Sequence, residues 1–178
     1  MARMSDQLQF PIGTFVEDRA VTPEKRRTWI AQIAETPVAL RAAVTGLSDR
    51  QLDTPYRPGG WTVRQVLHHV PDSHMNAYVR YKLALTETNP TIKPYDEAAW
   101  ANVADTPRTP PDVSLALLDA LHRRWVILLE TLAPEDFARP LQHPEKGPVT
   151  LDWMLQLYAW HGRHHVAHVT ELRKREGW

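Results

Sequence analysis

There is no cysteine among the 178 residues. That excludes disulfides, thiolate metal ligands and a cysteine nucleophile. Any thiol in this protein's chemistry has to arrive with a substrate, and any metal has to be held by His, Asp or Glu. There is no excess charge either, since 21 Lys plus Arg balance 21 Asp plus Glu. Such a chain has no bulk attraction for nucleic acid or for an anionic membrane surface. No apolar run approaches the length of a membrane span, about 20 residues. The opening Met1-Ala2-Arg3-Met4-Ser5-Asp6-Gln7 is polar and lacks a signal-peptide core. The expectation is a cytoplasmic protein that acts on a small molecule, with no nucleic acid and no membrane as partner. Glycine is scarce, at seven, against fifteen prolines. Most prolines fall at 55–58, 90–94, 107–111 and 134–148, where they punctuate the periodic segments.

What the chain does have is histidine. Four of its nine lie in Tyr158-Ala159-Trp160-His161-Gly162-Arg163-His164-His165-Val166-Ala167-His168-Val169. Histidine is the commonest transition-metal ligand. Two histidines four apart on a helix point the same way and can share one ion. Two pairs have that spacing here, His161/His165 and His164/His168. Helical phase separates them. At about 100° per residue, Leu151, Met154, Leu157, Tyr158, Val169 and Leu172 form an apolar stripe. His165 sits at its centre and His161 about 40° away. His168 lies further off, and His164 falls outside. Asp152, Gln156, Arg163, Thr170 and Lys174 cover the opposite face. A single buried histidine is ordinarily a hydrogen-bonded core residue. An inward pair within a cluster of four points to a metal.

Length suggests one domain spanning residues 1–178, with a sizeable core. Residues 8–22 read as an extended arm. Thr22-Pro23-Glu24-Lys25 starts a helix, with an N-cap threonine and proline at the first position. It runs to about Leu47, and Pro37 inside it predicts a kink or a break. Thr62 and Gln65 make a capping box for a second helix, reaching about Thr86. Asn89 to Pro111 is a long connection passing over one end of the bundle, with a short helix near Tyr95–Trp100. A third helix starts at Asp112-Val113-Ser114 and ends near Leu132. A small hairpin fits Arg139–Val149. Thr150 opens the fourth helix, which runs to about Arg175. Four amphipathic helices read as an all-α four-helix bundle with long connecting loops.

The second helix offers His68, His69 and His74 as a third ligand. His68 faces away from the apolar stripe, His69 lies on its flank and His74 is nearest its centre. Periodicity ranks His74 first and His69 second. It does not decide between them, because a site can lie at the edge of a core. Asp72 and Asn76 share the His69 flank and are candidates to support it.

Three stretches together resemble a known family. They are Gly59-Gly60-Trp61-Thr62-Val63-Arg64-Gln65-Val66-Leu67-His68-His69, then Asp72-Ser73-His74-Met75-Asn76, then Trp160 to His168. They resemble the YfiT-type metal-dependent hydrolases of the DinB-like superfamily. The likeness extends to Phe10-Pro11-Ile12-Gly13, to Leu52-Asp53-Thr54-Pro55-Tyr56-Arg57 and to Ile92-Lys93-Pro94-Tyr95-Asp96. It covers nearly the whole chain and implies a DinB-like four-helix bundle. It implies three metal ligands, His69, His161 and His165, the first lying eight residues after the tryptophan that opens the second helix. It also implies a homodimer and one divalent ion per chain, zinc or nickel.

Three neutral imidazoles leave coordination positions open, which marks a catalytic site rather than a structural one. Activation of water gives hydrolysis, the first reading. Binding of a substrate thiol gives S-transfer of a low-molecular-weight, bacillithiol-like thiol to an electrophile, an activity of other DinB-like proteins. A metal-binding stress or sensor protein without catalysis is the third. No general base stands out: Asp72, Asp96, Glu97 and Glu171 are candidates, each read first as a solvated acid. His164 and His168 are read equally as supporting or surface residues and as proton carriers, and His68, His122 and His143 as structural or exposed. Trp29, Trp61, Trp125, Trp153 and Trp160 read as core or dimer packing. Tyr95 and Trp100, on the long connection, are candidates to line a pocket.

Overall fold

The structure is a computed structural model and describes residues 7–178. Local signals set its helix boundaries. Thr22 accepts from the Lys25 amide and opens α1 (Pro23–Val44). A short α2 (Asp49–Leu52) follows. Thr62 and Gln65 complete a reciprocal capping box at α3 (Val63–Thr86). Then come α4 (Glu97–Ala101), α5 (Pro111–Thr131) and a 3-10 turn at Asp136–Ala138. Strands β1 (Pro140–His143) and β2 (Gly147–Thr150) form an antiparallel hairpin. Thr150 caps α6 (Leu151–Glu176) by accepting from Trp153.

Two expectations are corrected. The arm is not extended throughout, because residues 7–9 are helical before the chain becomes irregular. Of the kink or break expected at Pro37, the break does not occur, since α1 is continuous from Pro23 to Val44. A proline removes one hydrogen bond but keeps a helical φ, and burial on both sides of Pro37 holds the helix together.

Side-chain pairings give the helix directions. Arg26 binds Asp152 through both carboxylate oxygens at 2.6 and 2.8 Å, and Arg173 donates to the Ala43 carbonyl at 2.8 Å. These contacts make α1 and α6 parallel neighbours. His68 meets Ser114 and His74 meets His122, so α3 and α5 are also parallel neighbours. Tyr81 donates to the Leu151 carbonyl while His69 approaches His161, so α3 and α6 are antiparallel. The helices pack in the ring order α1, α6, α3, α5. A parallel neighbour requires the chain to return along the length of a helix before starting again. That is why residues 87–110 form so long a connection. It runs back beside α3, where Gln65 holds the Ala101 carbonyl at 3.2 Å, and it pairs with β1 through Ile92 and Gln142.

The core lies in two parts. One holds Ile33, Ala77, Tyr81, Trp125, Leu129, Met154, Leu155 and Tyr158. The other holds Leu40, Val63, Val66, Leu67, Leu118, Val169 and Leu172. Between them, at one level of the bundle, each long helix contributes polar or small residues: Thr36 from α1, His69 and His74 from α3, His122 from α5, His161 and Gly162 from α6. At this level α1 and α6 approach closely. A Cβ on Gly162 would stand 2.5 Å from Thr36 Oγ1 and 2.8 Å from its Cγ2. Gly162→Ala is therefore expected to destabilise the protein by about 1–3 kcal/mol through overpacking. Thermal unfolding would show a lowered Tm, and adding Thr36→Ala should restore most of it.

Candidate metal centre

Helix α6 projects His161 and His165 from successive turns, and α3 crosses them at His69. His161 Nε2 lies 3.2 Å from His165 Nε2 and 3.3 Å from His69 Nε2. One nitrogen from each ring lies within 4.8 Å of the others. His69 and His165 are buried, and His161 is partly open to a cleft. Burial first, then the neighbouring imidazoles, holds all three basicities down. His69 falls to about 4, and His161 and His165 lie well below the ordinary histidine value. All three are neutral at pH 7, so their lone pairs are free to ligate.

The donor set fits a divalent ion. Imidazole nitrogens bound to one ion at about 2.1 Å stand roughly 3.0–3.4 Å apart at tetrahedral to octahedral angles. The two short separations fall in that range. A hydrogen-bonded histidine cluster explains the geometry less well. A neutral imidazole Nε2 offers one lone pair or one hydrogen, yet the His161 Nε2 is approached by two others. Among the described residues no carboxylate joins the three.

The cleft above them has a volume of about 590 Å³. Trp61 forms one wall, its ring edge-on to His69 at 4.8 Å and parallel to His165 at 6.5 Å. Ser73, Tyr95 and Trp160 also line it. Arg57, Arg80 and Lys146 bring positive charge, and Glu97 and Glu145 bring negative charge. The hairpin and the long connection thus supply the rim, while the bundle supplies the floor.

The other expected residues fall as follows. His74 is fully buried and stands behind the site, with its Nε2 3.0 Å from His161 Nδ1. Periodicity ranked it first because it faces the bundle axis, where there is no opening to solvent. His68 is buried against Ser114 at 2.7 Å. Asn76 binds the Asp72 carbonyl, and neither residue supports His69. His164 and His168 are buried too, at 7% and 3% exposure. Phe10 stacks on His164, and the Gln9 carbonyl accepts from His168 Nε2 at 3.0 Å. Helical phase had set His164 outside the stripe because it registers only the bundle side of α6, not the arm laid over the other. Of the candidate bases, Glu97 lines the cleft and Asp96 caps α4. Asp72 lies outside the cleft, its carboxyl raised to about 6 by burial and then by Asp105. Glu171 lies beneath the arm, beside Arg175. Tyr95 lines the cleft as expected, and Trp100 packs against it from outside at 4.6 Å. Glu145 and Arg80 carried no sequence signal and Arg57 only its place in the family likeness, because only tertiary packing brings them to the rim.

Comparison with known proteins agrees with this geometry. The family model of the DinB superfamily matches residues 32–169. A Bacillus cereus protein named "Putative metal-dependent hydrolase" is 56% identical over 173 residues, covering 97% of this chain and 99% of that one. A Bacillus thuringiensis subsp. konkukian protein of the same description is 56% identical over the same span. Among solved structures, YfiT from Bacillus subtilis superposes with a TM-score of 0.94 at 50% identity, over 97% of this chain and 99% of that one. It is described as "a probable metal-dependent hydrolase with an unusual four-helix bundle topology". In sequence, in fold and in family profile, the chain belongs to the DinB superfamily.

Proposed function

We propose that His69, His161 and His165 hold one divalent ion, zinc or nickel, and that the protein is a metal-dependent hydrolase of a small substrate bound in the cleft. The observation that carries this is the convergence of three neutral imidazole nitrogens at the floor of an open, 590 Å³ cleft. The close relatives named for metal-dependent hydrolysis support it. A divalent ion there would supply a nucleophilic water near neutral pH and polarise a substrate carbonyl.

The chain's own residues do the rest. The ring of Trp61 packs edge-on against His69 and fixes its plane. Trp61, Tyr95 and Trp160 offer apolar surface to a substrate and limit bulk water at the floor. Arg57, Arg80 and Lys146 favour a substrate with an anionic group at the rim. Glu97 and Glu145 are the carboxylates of the cleft wall, where a proton can be accepted once a substrate draws them in.

Three neutral ligands leave the ion's double charge uncompensated by protein, and that favours an anionic fourth ligand. Hydroxide and thiolate both qualify, so thiol transfer is the second reading. The test is an ester and amide panel on zinc- and nickel-loaded protein, run with and without a low-molecular-weight thiol. Hydrolysis without thiol, lost in His161→Ala, is the expected result. Turnover only with thiol would replace hydrolysis by transfer. A retained metal with no turnover on either panel would leave a metal-binding protein without catalysis.

A further inference from the structure

A proline inside a helix leaves the carbonyl four residues earlier without its helical donor. In α1 that proline is Pro37, and the carbonyl is that of Ile33. It does not go unused. His122 of α5 reaches it through Nδ1 at 2.7 Å. His122 Nε2 lies 2.8 Å from His74 Nδ1, and His74 Nε2 lies 3.0 Å from His161 Nδ1. His74 and His122 are 0% and 1% exposed. A line of three imidazoles thus runs across the bundle, from a backbone carbonyl on α1 to the ring of His161.

Taken singly, each imidazole pair can be read in either direction, because a neutral ring carries one N–H and one lone pair. The carbonyl removes the ambiguity. It can only accept, so His122 carries its hydrogen on Nδ1. His122 Nε2 is then a lone pair, so His74 must donate to it from Nδ1. His74 Nε2 is in turn a lone pair, so His161 must donate from its own Nδ1. The consequence appears at the far end. The Nε2 of His161, which faces His69 and His165, carries no hydrogen. The three rings are neutral in this layer, because among the described residues no carboxylate is a hydrogen-bond partner that would stabilise a charge there.

We propose that the Ile33 carbonyl freed by Pro37, together with His122 and His74, forms a relay that fixes the tautomer and ring orientation of His161. The relay presents His161 Nε2 as a metal-ready lone pair before any ion arrives. His74 and His122 are positioning residues that touch neither ion nor substrate. This rests on the reading of His161 as a ligand. It also accounts for two of the most buried polar side chains in the bundle, which the hydrolytic site does not otherwise use. Partners of this kind behind a ligating histidine typically change metal affinity by about 10–100-fold when removed.

The first test needs no substitution. Nitrogen-15 NMR of the metal-free wild type distinguishes the two neutral histidine tautomers. The expected result is Nδ1–H at His122, His74 and His161. An Nε2–H tautomer at His161 would overturn the relay. The second test measures zinc affinity by competition with a chelator. His122→Phe and His74→Phe keep a ring in the core but break the chain of donors, and each should bind zinc about 10–100-fold more weakly. His122→Gln can donate to the Ile33 carbonyl and accept from His74, and should recover affinity to within a few fold. Equal affinity in His122→Phe and wild type would overturn the proposal, as would failure of His122→Gln to exceed His122→Phe. Nδ1–H at all three rings in a protein that retains no zinc would uphold the relay and overturn the metal reading instead.

Discussion

Alanine at His161 is expected to reduce bound metal from about one ion per chain to near zero, and alanine at His69 or His165 should do the same. Each change removes one of three converging nitrogens. Two imidazoles without a chelating third partner hold a divalent ion poorly, and among the described residues no carboxylate stands by to replace the lost ligand. His68→Ala should keep its metal, since that ring faces Ser114 on the far side of α3. His74→Ala should weaken binding but still fill when metal is in excess, because it removes support behind His161 and not a ligand. Elemental analysis of untagged protein after removal of excess metal makes the comparison, with circular dichroism to check the fold. Loss of metal in His74→Ala but not in His69→Ala would move the third ligand to position 74. No metal in the wild type after zinc or nickel is added back would reduce the cluster to a structural one.

The metal-free protein should lose most of its stability between pH 6.5 and pH 4. The cause is the number of histidines that burial keeps neutral. His69, His122 and His168 are each held at about 4, and His164 at about 3, burial being the largest cause for each. An unfolded histidine takes its proton near pH 6.5. Above that pH neither state is protonated, and these groups do not affect stability. As the pH falls below 6.5 the unfolded chain binds protons that the folded chain refuses, so unfolding becomes easier. The full penalty is reached below the folded values. For one group held at about 4 it amounts to about 3 kcal/mol, and at pH 5 it is already about 2 kcal/mol. A domain is ordinarily stable by about 5–15 kcal/mol, so several such groups acting together consume most of it. Urea denaturation at steps from pH 7.5 to 4.5 would measure the slope. Saturating zinc should shift the loss to lower pH, because an ion that binds only the neutral folded site stabilises it by mass action. A flat profile between pH 7 and 5 would mean that these rings are hydrated and not buried as the structure has them.

These two expectations depend on the sequence in different ways. His161 and His165 could be chosen from the chain alone, because helical phase is a property of one helix and its own apolar stripe. The caps at Thr22, Thr62 and Thr150 were legible for the same reason, each being a contact over three residues. The third ring of the cluster was not. His68, His69 and His74 all lie on α3, and periodicity favoured the most buried of them. The ring at the edge of the core meets the pair beside the cleft, while the ring at its centre stands behind. Family resemblance pointed to His69 where periodicity did not, and the structure brings His69 beside His161 and His165.

The histidines beyond the three converging rings lie past the reach of single-helix reasoning. The pairing of His74 with His122 joins residues 48 apart, and the bond from His122 to Ile33 joins residues 89 apart. His164 and His168 are buried by the arm, through residues more than 150 positions away. Pro37 was visible as a helical proline, but the use made of the Ile33 carbonyl was not.

Composition and periodicity, which act over a few residues, were enough for the four amphipathic helices, their caps, the absence of any thiol and the inward pair on α6. The parallel pairing of α1 with α6 and of α3 with α5, the choice of His69 and the imidazole line behind His161 were set by packing. They depend on which helix lies beside which, and that is decided by the fit of all four apolar faces at once, not by any one of them.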